Sequence, residues 1–248
     1  MAESYGSEKI AGSRNGLLYY IDAFNTKCYV SGSGVINDLV SSATASVDIV
    51  GFSSGSGWDF GTPITSQIIP DNTVLNKCTS VDSQGAIECY VRFTDSQQGI
   101  FGITGAISSN RIAYGRIPGT SAPLRIIGFH GGGDYFHYQT AGSGSGLIYE
   151  NTWYHLIWNR ISGSEVVSNH NVYINGEQLG LVDQGSNPSQ TIYMNDIGAA
   201  ATTIQIGQNG DGAISSDTHL KSFRIWDRPL TAEEASQHYK WYVDKYGI

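Results

Sequence analysis

The chain has 248 residues, a net charge of −8, only 15% charged residues, 31 glycines and 15 tyrosines. That length suits one large β-sandwich or two small domains, and roughly three quarters of the unfolded surface would be buried without disulfide staples. The acidic balance and scattered Lys and Arg exclude a phosphate-tracking groove, so nucleic acid is not an expected partner, and no segment reaches the apolar length of a membrane span.

Residues 1–16 (MAESYGSEKIAGSRNG) are polar and unpatterned. They lack the apolar core of a signal peptide and read as an N-terminal arm that docks on a partner. Residues 17–248 read as one domain. Strands are expected at 17–23, 47–52 and 64–69, the last stopped by Pro70. Residues 86–93 alternate, with Ile87, Cys89, Val91 and Phe93 on one face and Glu88, Tyr90 and Arg92 on the other. Glu88 reads as half of a surface Glu–Arg pair.

Strands at 99–107, 111–114, 124–129 and 135–139 continue the pattern. The triglycine at 131–133 precedes Asp134, Tyr135, Phe136 and Tyr138. It reads as a hairpin turn before core-facing rings, in preference to a stacking platform for sugar. The next strand, 153–160, carries His155 between Trp153 and Trp158, as a packed and hydrogen-bonded residue. Strands at 171–174 and 178–182 flank Asn175-Gly176, a pair suited to a type I′ turn because both positions need φ > 0. Segments 192–194, 203–206 and 220–226 complete about a dozen short strands.

Thr231 then opens a helix to Tyr246, with Glu234 three residues on, the spacing of a capping box. Ala235, Tyr239, Tyr242 and Tyr246 form its inner stripe. Trp241 lies off that stripe near His238 and Lys245. These three are the candidate contacts with a partner, since Trp is enriched at interface hot spots.

Cys28, Cys78 and Cys89 are too few, and odd in number, for a disulfide scaffold. Cys89 reads as a small buried hydrophobe. Gly51-Phe52-Ser53-Ser54-Gly55 has the spacing of a nucleophile elbow but is not followed by a helix. No His-Glu-x-x-His, P-loop or dinucleotide fingerprint occurs. The loop 208–212, with Asp217 further on, offers oxygens for Ca²⁺, and Asn209, Asp211 and Asp217 are the weak candidates for glycan or metal. The same residues are ordinary turn formers, so no cofactor is expected. The chain has no Asn-x-Ser/Thr acceptor with a permitted middle residue, which with the missing signal fits synthesis in a cytoplasm.

Three segments carry a resemblance. LLYYIDAFNTKCYVSGSGVINDLVS contains Asp22, Ala23, Asn25, Tyr29, a Gly-Ser-Gly turn, Asp38 and Leu39. NTWYHLIWNRISGSEVVSNHNVYINGEQLG pairs a Trp-Tyr-His strand with a strand ending in Tyr-x-Asn-Gly. LKSFRIWDRPLTAEEASQHYKWYVDKYGI joins a strand, an Arg-Pro-Leu corner and a helix. In this order they resemble the concanavalin A-like lectin/glucanase superfamily, in its laminin-G-like branch. The opening segment is similar to such domains in phage virion proteins.

The resemblance implies an all-β, two-sheet antiparallel jelly roll with a short C-terminal helix. It also implies a non-catalytic virion protein, a capsid decoration, fibre or tail module. Its partners would be other virion proteins or a host-surface glycan, and it would be a homo-oligomer resident in the virion. A Ca²⁺-assisted lectin is the alternative. A glycoside hydrolase is the remote one, because the Glu-x-Asp-x-x-Glu strand of the family's glucanases is absent and Glu88 is the one acidic residue central in a strand.

Overall fold

Short β-rich segments separated by Gly, Ser and Asn form, in the computed structural model, eighteen strands and two helices among the described residues. Those residues are 15–48, 50–61, 66–79, 84–94, 98–105, 111–116, 121–130, 133–142, 144–161, 166–185, 201–208 and 218–247. The first strands are β1 (Leu17–Asp22), β2 (Val35–Asn37), β3 (Thr44–Asp48), β4 (Gly51–Ser53), β5 (Gly57–Asp59) and β6 (Gln67–Pro70). Helix α1 (Asn72–Thr79) follows. Next come β7 (Gly85–Phe93), β8 (Gln98–Gly105), β9 (Arg111–Arg116), β10 (Ser121–His130), β11 (Gly133–Thr140), β12 (Leu147–Tyr149) and β13 (Trp153–Arg160). The chain closes with β14 (His170–Ile174), β15 (Glu177–Leu179), β16 (Leu181–Asp183), β17 (Ala201–Ile206), β18 (Thr218–Trp226) and helix α2 (Ala232–Tyr246).

Every pairing is antiparallel. One sheet runs β15-β14-β13-β7-β18-β5-β4, with β1 beside β5 on the same edge of β18; the other runs β16-β11-β10-β9-β8-β17-β6-β3-β2, with β12 on β10. This is the expected two-sheet jelly roll with a helix near its end. Between the sheets lies the main core. It takes Ile87, Cys89, Val91 and Phe93 from β7 and Phe101, Ile103, Tyr114, Ile126 and Phe136 from the facing sheet. Phe101 meets Phe223 at 5.9 Å and Tyr114 meets Trp158 at 5.9 Å across this layer. All three cysteines are buried and free.

A second, smaller core lies on the outer face of the first sheet, where Leu17, Tyr20, Ala86, Ile157, Tyr173 and Trp226 pack with Leu230 and Ala235. Helix α2 covers that face. The consequence is a correction: β7 is buried on both faces, and Glu88 is not half of a surface pair. It stands directly opposite Arg224 of β18, fully enclosed. Alternation places Glu88 and Cys89 on opposite faces, but it cannot tell a face open to water from one roofed by a distant helix.

Two expected strands are each split. Residues 47–52 straddle β3, in the second sheet, and β4, in the first; residues 178–182 straddle β15 and β16, again in different sheets. A chain crossing from one layer to the other need not interrupt its apolar pattern. Helix α1 adds an element to those the pattern of the sequence predicts. Pro70 ends β6, and Asp71 then accepts from the amides of Thr73 at 2.8 Å and of Thr44 at 2.8 Å. Burial pushes Asp71 up, but the three amide bonds from Thr44, Thr73 and Val74 win and hold it below the usual carboxylate value. With eight residues and, among those whose burial is described, only Val74, Leu75 and Cys78 buried, the helix is too short for a periodic signal.

The local signals read from dipeptides and caps are realised. Ile174 pairs with Glu177 around Asn175 (φ 53°) and Gly176 (φ 80°). The Gly-x-Ser-x-Gly segment is the β4–β5 hairpin and opens no helix. Phe136 and Tyr138 face the core from the β10–β11 hairpin. The segment 192–194 and residues 1–14 of the arm lie outside the described residues; Gly16 bonds to Asp227 and Asn15 to Arg228.

Thr231 accepts from the Glu234 amide at 3.1 Å, and Glu234 returns a bond to the Thr231 amide at 2.9 Å. Thr231→Ala is expected to cost about 1 kcal/mol. Glu234→Ala should cost more, because Glu234 also holds Arg228 at 2.6 and 2.9 Å. Urea unfolding of the two variants checks the order; equal midpoints would contradict it.

Candidate functional site

The richest polar cluster lies between the first sheet and α2. Strand alternation points Glu88, His155, Arg224 and Trp226 out of the same face of β7, β13 and β18. The helix brings His238 down onto them. Glu88 Oε1 accepts from Arg224 Nη1 at 3.0 Å, His155 Nε2 at 3.0 Å and His238 Nδ1 at 3.1 Å. Its Oε2 accepts from Trp226 Nε1 at 3.0 Å. Both imidazoles donate, because an ionised carboxylate can only accept. Burial alone would push Glu88 up, but the charges of Arg224 and His238 and the histidine hydrogen bonds outweigh it and hold its carboxyl well below the ordinary value. Burial pushes His155 down and outweighs its bond to Glu88, so His155 is a neutral donor. This is the packed histidine expected from its aromatic flanks.

Asp22 forms the second buried cluster. Its carboxylate accepts from Tyr20 Oη at 2.9 Å, the Phe24 amide at 2.9 Å, Tyr246 Oη at 3.2 Å and Lys245 Nζ. Asn159 makes a third link, donating to the Leu230 carbonyl at 2.7 Å and accepting from the Leu230 amide at 3.0 Å. The three links tie the Arg-Pro-Leu corner and α2 to β1, β7, β13 and β18.

The candidate residues fall out differently from expectation. His238 is 2% exposed and aimed at Glu88. It is therefore withdrawn as a partner contact: one helical turn before Tyr242 places it on the buried stripe. Lys245 is mostly enclosed and ion-paired with Asp22. Trp241 is half-buried, edge-on to Tyr242 at 4.9 Å, with the Arg224 guanidinium 5.0 Å and the Lys245 ammonium 4.6 Å from its ring. Asn209, Asp211 and Asp217 lie outside the described residues. Gln208, which opens their loop, is buried, and its side chain accepts from Gln205 at 3.4 Å. Among the described residues, no group of three or more His, Cys, Asp or Glu side chains is placed to hold a metal ion.

Sequence reasoning missed the Glu88 cluster because its members lie up to 150 residues apart. A charged residue in an apolar strand, with Arg and Trp two apart in another, was the available signal. Chemically the cluster cannot perform acid–base hydrolysis. A glycosidase acid needs a raised carboxyl with a second carboxylate nearby, whereas Glu88 is ionised, roofed and saturated by four donors.

The cluster gives a pH dependence. The folded values of Glu88 and His155 both lie below their ordinary 4.5 and 6.5. The folded protein thus binds fewer protons than the unfolded chain at acid pH, and stability rises with pH there. Full stability is expected above roughly pH 6.5, with loss beginning as unfolded histidine protonates and steepening below roughly pH 4.5. Denaturant midpoints from pH 8 to pH 4 check this, and a flat profile between pH 7 and 4 would contradict it.

Two stacked antiparallel sheets closed by a C-terminal helix define a β-sandwich of the jelly-roll class. The family model for Laminin_G_3, described as the concanavalin A-like lectin/glucanases superfamily, matches residues 66–236, and the chain belongs to this superfamily. The opening segment, residues 17–41, precedes the matched stretch.

No curated protein matches the chain. Among solved structures, the fold is similar to Trypanosoma rangeli sialidase in complex with sialic acid: TM-score 0.58, 12% identity, covering 93% of this chain and 33% of that one. It is also similar to a mutant of the same sialidase displaying trans-sialidase activity, with TM-score 0.55, 12% identity, and coverage of 95% and 34%. The receptor binding domain of botulinum neurotoxin type G matches with TM-score 0.56 and 16% identity, covering 92% of this chain and 51% of that one. The chain thus spans about a third of the sialidases and about half of the toxin domain, and at these identities the likeness is one of fold. No helix among the described residues is long and apolar enough to cross a membrane.

Proposed function

We propose that the chain is a non-catalytic binding module of a phage virion, a decoration, fibre or tail-associated protein that joins other virion proteins or a host surface. The observation that carries the non-catalytic part is the state of Glu88. It is the one acidic residue central to the β7 face, and it is ionised, enclosed and bonded to Arg224, Trp226, His155 and His238. It has neither the proton of a general acid nor the access of a nucleophile. The virion part is supported by the likeness of residues 17–41 to phage-type domains. Trp241 and Lys245 remain the contact candidates of the helix, and assembly into a homo-oligomer belongs to the same reading.

The test has two arms. Reducing ends released from laminarin, agarose and carrageenan should stay at background; hydrolysis that disappears in a folded Glu88→Gln variant would overturn the non-catalytic reading. Mass spectrometry of purified phage particles should find the chain as a stoichiometric component, and its absence from them would overturn the virion reading.

A further inference from the structure

Among the described residues, Lys221 is a cation without a counter-ion. It sits at a bulge in β18: Leu220 pairs with Val91 and Ser222 with Tyr90, so Lys221 has no opposite residue on β7. Bulges re-aim side chains. Here the residue is 7% exposed, and its ammonium lies among rings, 4.3 Å from the Trp153 centroid, 5.0 Å from Tyr246 and 5.8 Å from Phe24 and Tyr90. A second cation shares the place. The Arg92 guanidinium is 5.3 Å from the same Trp153 ring, its Nη2 donates to Ser56 Oγ at 3.2 Å, and its buried Nε has no acceptor among the described residues. No described carboxylate forms an ion pair with either cation.

This arrangement opposes folding. Burial and the charge of Arg92 push Lys221 below its ordinary value. Ring faces attract a cation, but they do not replace the water it gave up. Two like charges against one indole ring, with no described carboxylate paired to either, form a site that an anion completes. The rings narrow the choice. Trp153, Tyr246, Phe24 and Phe52 are all half-buried, with Phe24 5.6 Å from Tyr246 and 6.2 Å from Phe52. A ligand that fits carries an acid group and an apolar face. A net charge of −8 disfavours a polyphosphate chain.

We propose that Lys221, Arg92 and the Trp153 ring form a binding site for the carboxylate of an acidic sugar, a uronic or sialic acid residue of a surface glycan. The site lies on the outer face of the first sheet, beside the end of α2. The inference rests on the binding-module reading and adds to it the place and the ligand class.

The test is a calorimetric titration of the intact chain at low salt. The methyl glycosides of glucuronic acid and N-acetylneuraminic acid are the probes and separate the two sources. Methyl glucoside, acetate and a poly-glutamate peptide are the controls. At least one acidic sugar should bind. Its affinity should fall tenfold or more in Lys221→Met and in Arg92→Gln, and each control should bind at least tenfold more weakly. Lys221→Met should melt no lower than the parent, because it keeps the stem and removes an uncompensated charge. Arg92→Gln, at a half-buried position, gives an independent variant should the first fold poorly. The site is overturned if neither acidic sugar binds, if both variants bind as the parent does, or if any control matches the acids. A virion component that ignores acidic sugars would sink this inference alone; cleavage of an acidic oligosaccharide that still needs Lys221 would sink the non-catalytic reading alone.

Discussion

Glu88→Ala should destabilise the protein by about 3–5 kcal/mol, the cost of removing one partner from a buried ion pair. The substitution strands Arg224, which is fully buried and whose Nη1 has Glu88 as its acceptor. It also removes the acceptor of Trp226 Nε1, His155 Nε2 and His238 Nδ1. The damage should localise first at α2, since His238 is one of the helix's polar ties to the sheet, beside those of Tyr242 to Ser222 and of Lys245 and Tyr246 to Asp22. Urea unfolding gives the energy, and hydrogen exchange along α2 gives the place. The double variant Glu88→Leu with Arg224→Met should recover much of the loss, because the desolvation of both charges is removed together. A single-variant loss under about 1 kcal/mol would mean the charge network contributes little net stability.

Tyr242→Ala should cost about 3–5 kcal/mol, the range for emptying a buried aromatic position. Tyr242 is fully buried at the centre of the helix–sheet contact. It stacks on Tyr90 at 5.1 Å, lies 4.8 Å from His155 and shares a 2.9 Å hydrogen bond with Ser222 Oγ. Arg224 lies 5.1 Å from its ring. Truncation therefore opens a cavity, unpairs a hydroxyl and uncovers a charge. Tyr242→Phe separates these effects: it keeps the ring and should cost about 1–2 kcal/mol for the lost hydrogen bond. Thermal melts of the two variants check the ranking, and equal costs would assign the role to the hydroxyl.

The contact candidates on α2 show where a stripe argument stops. Spacing assigns Ala235, Tyr239, Tyr242 and Tyr246 to the inner face, and Ala235 and Tyr242 are fully buried while Tyr239 and Tyr246 are half-buried. The buried arc is wider than that stripe and takes in His238, because Glu88 and Trp226 lie beneath it. Helical spacing alone gives a direction for each side chain; how much of the circumference is covered depends on what lies opposite.

What is local was legible in the residues alone. The Asn175-Gly176 turn follows from φ > 0 at both positions, the Thr231–Glu234 cap from a three-residue spacing, and the strand at 153–160 from an aromatic-rich run between turn residues. The all-β sandwich followed from many such runs. Tertiary structure alone decided which faces see water and which sheet each run joins. It set Glu88 opposite Arg224, brought His238 across 150 residues to the same oxygen, divided residues 47–52 between two sheets and turned Lys221 into a ring of aromatics at a bulge. The physical reason is that turn and cap energies depend on neighbours within a few residues. Burial, and with it the charge state of every buried group, depends on which distant segment comes to lie on top.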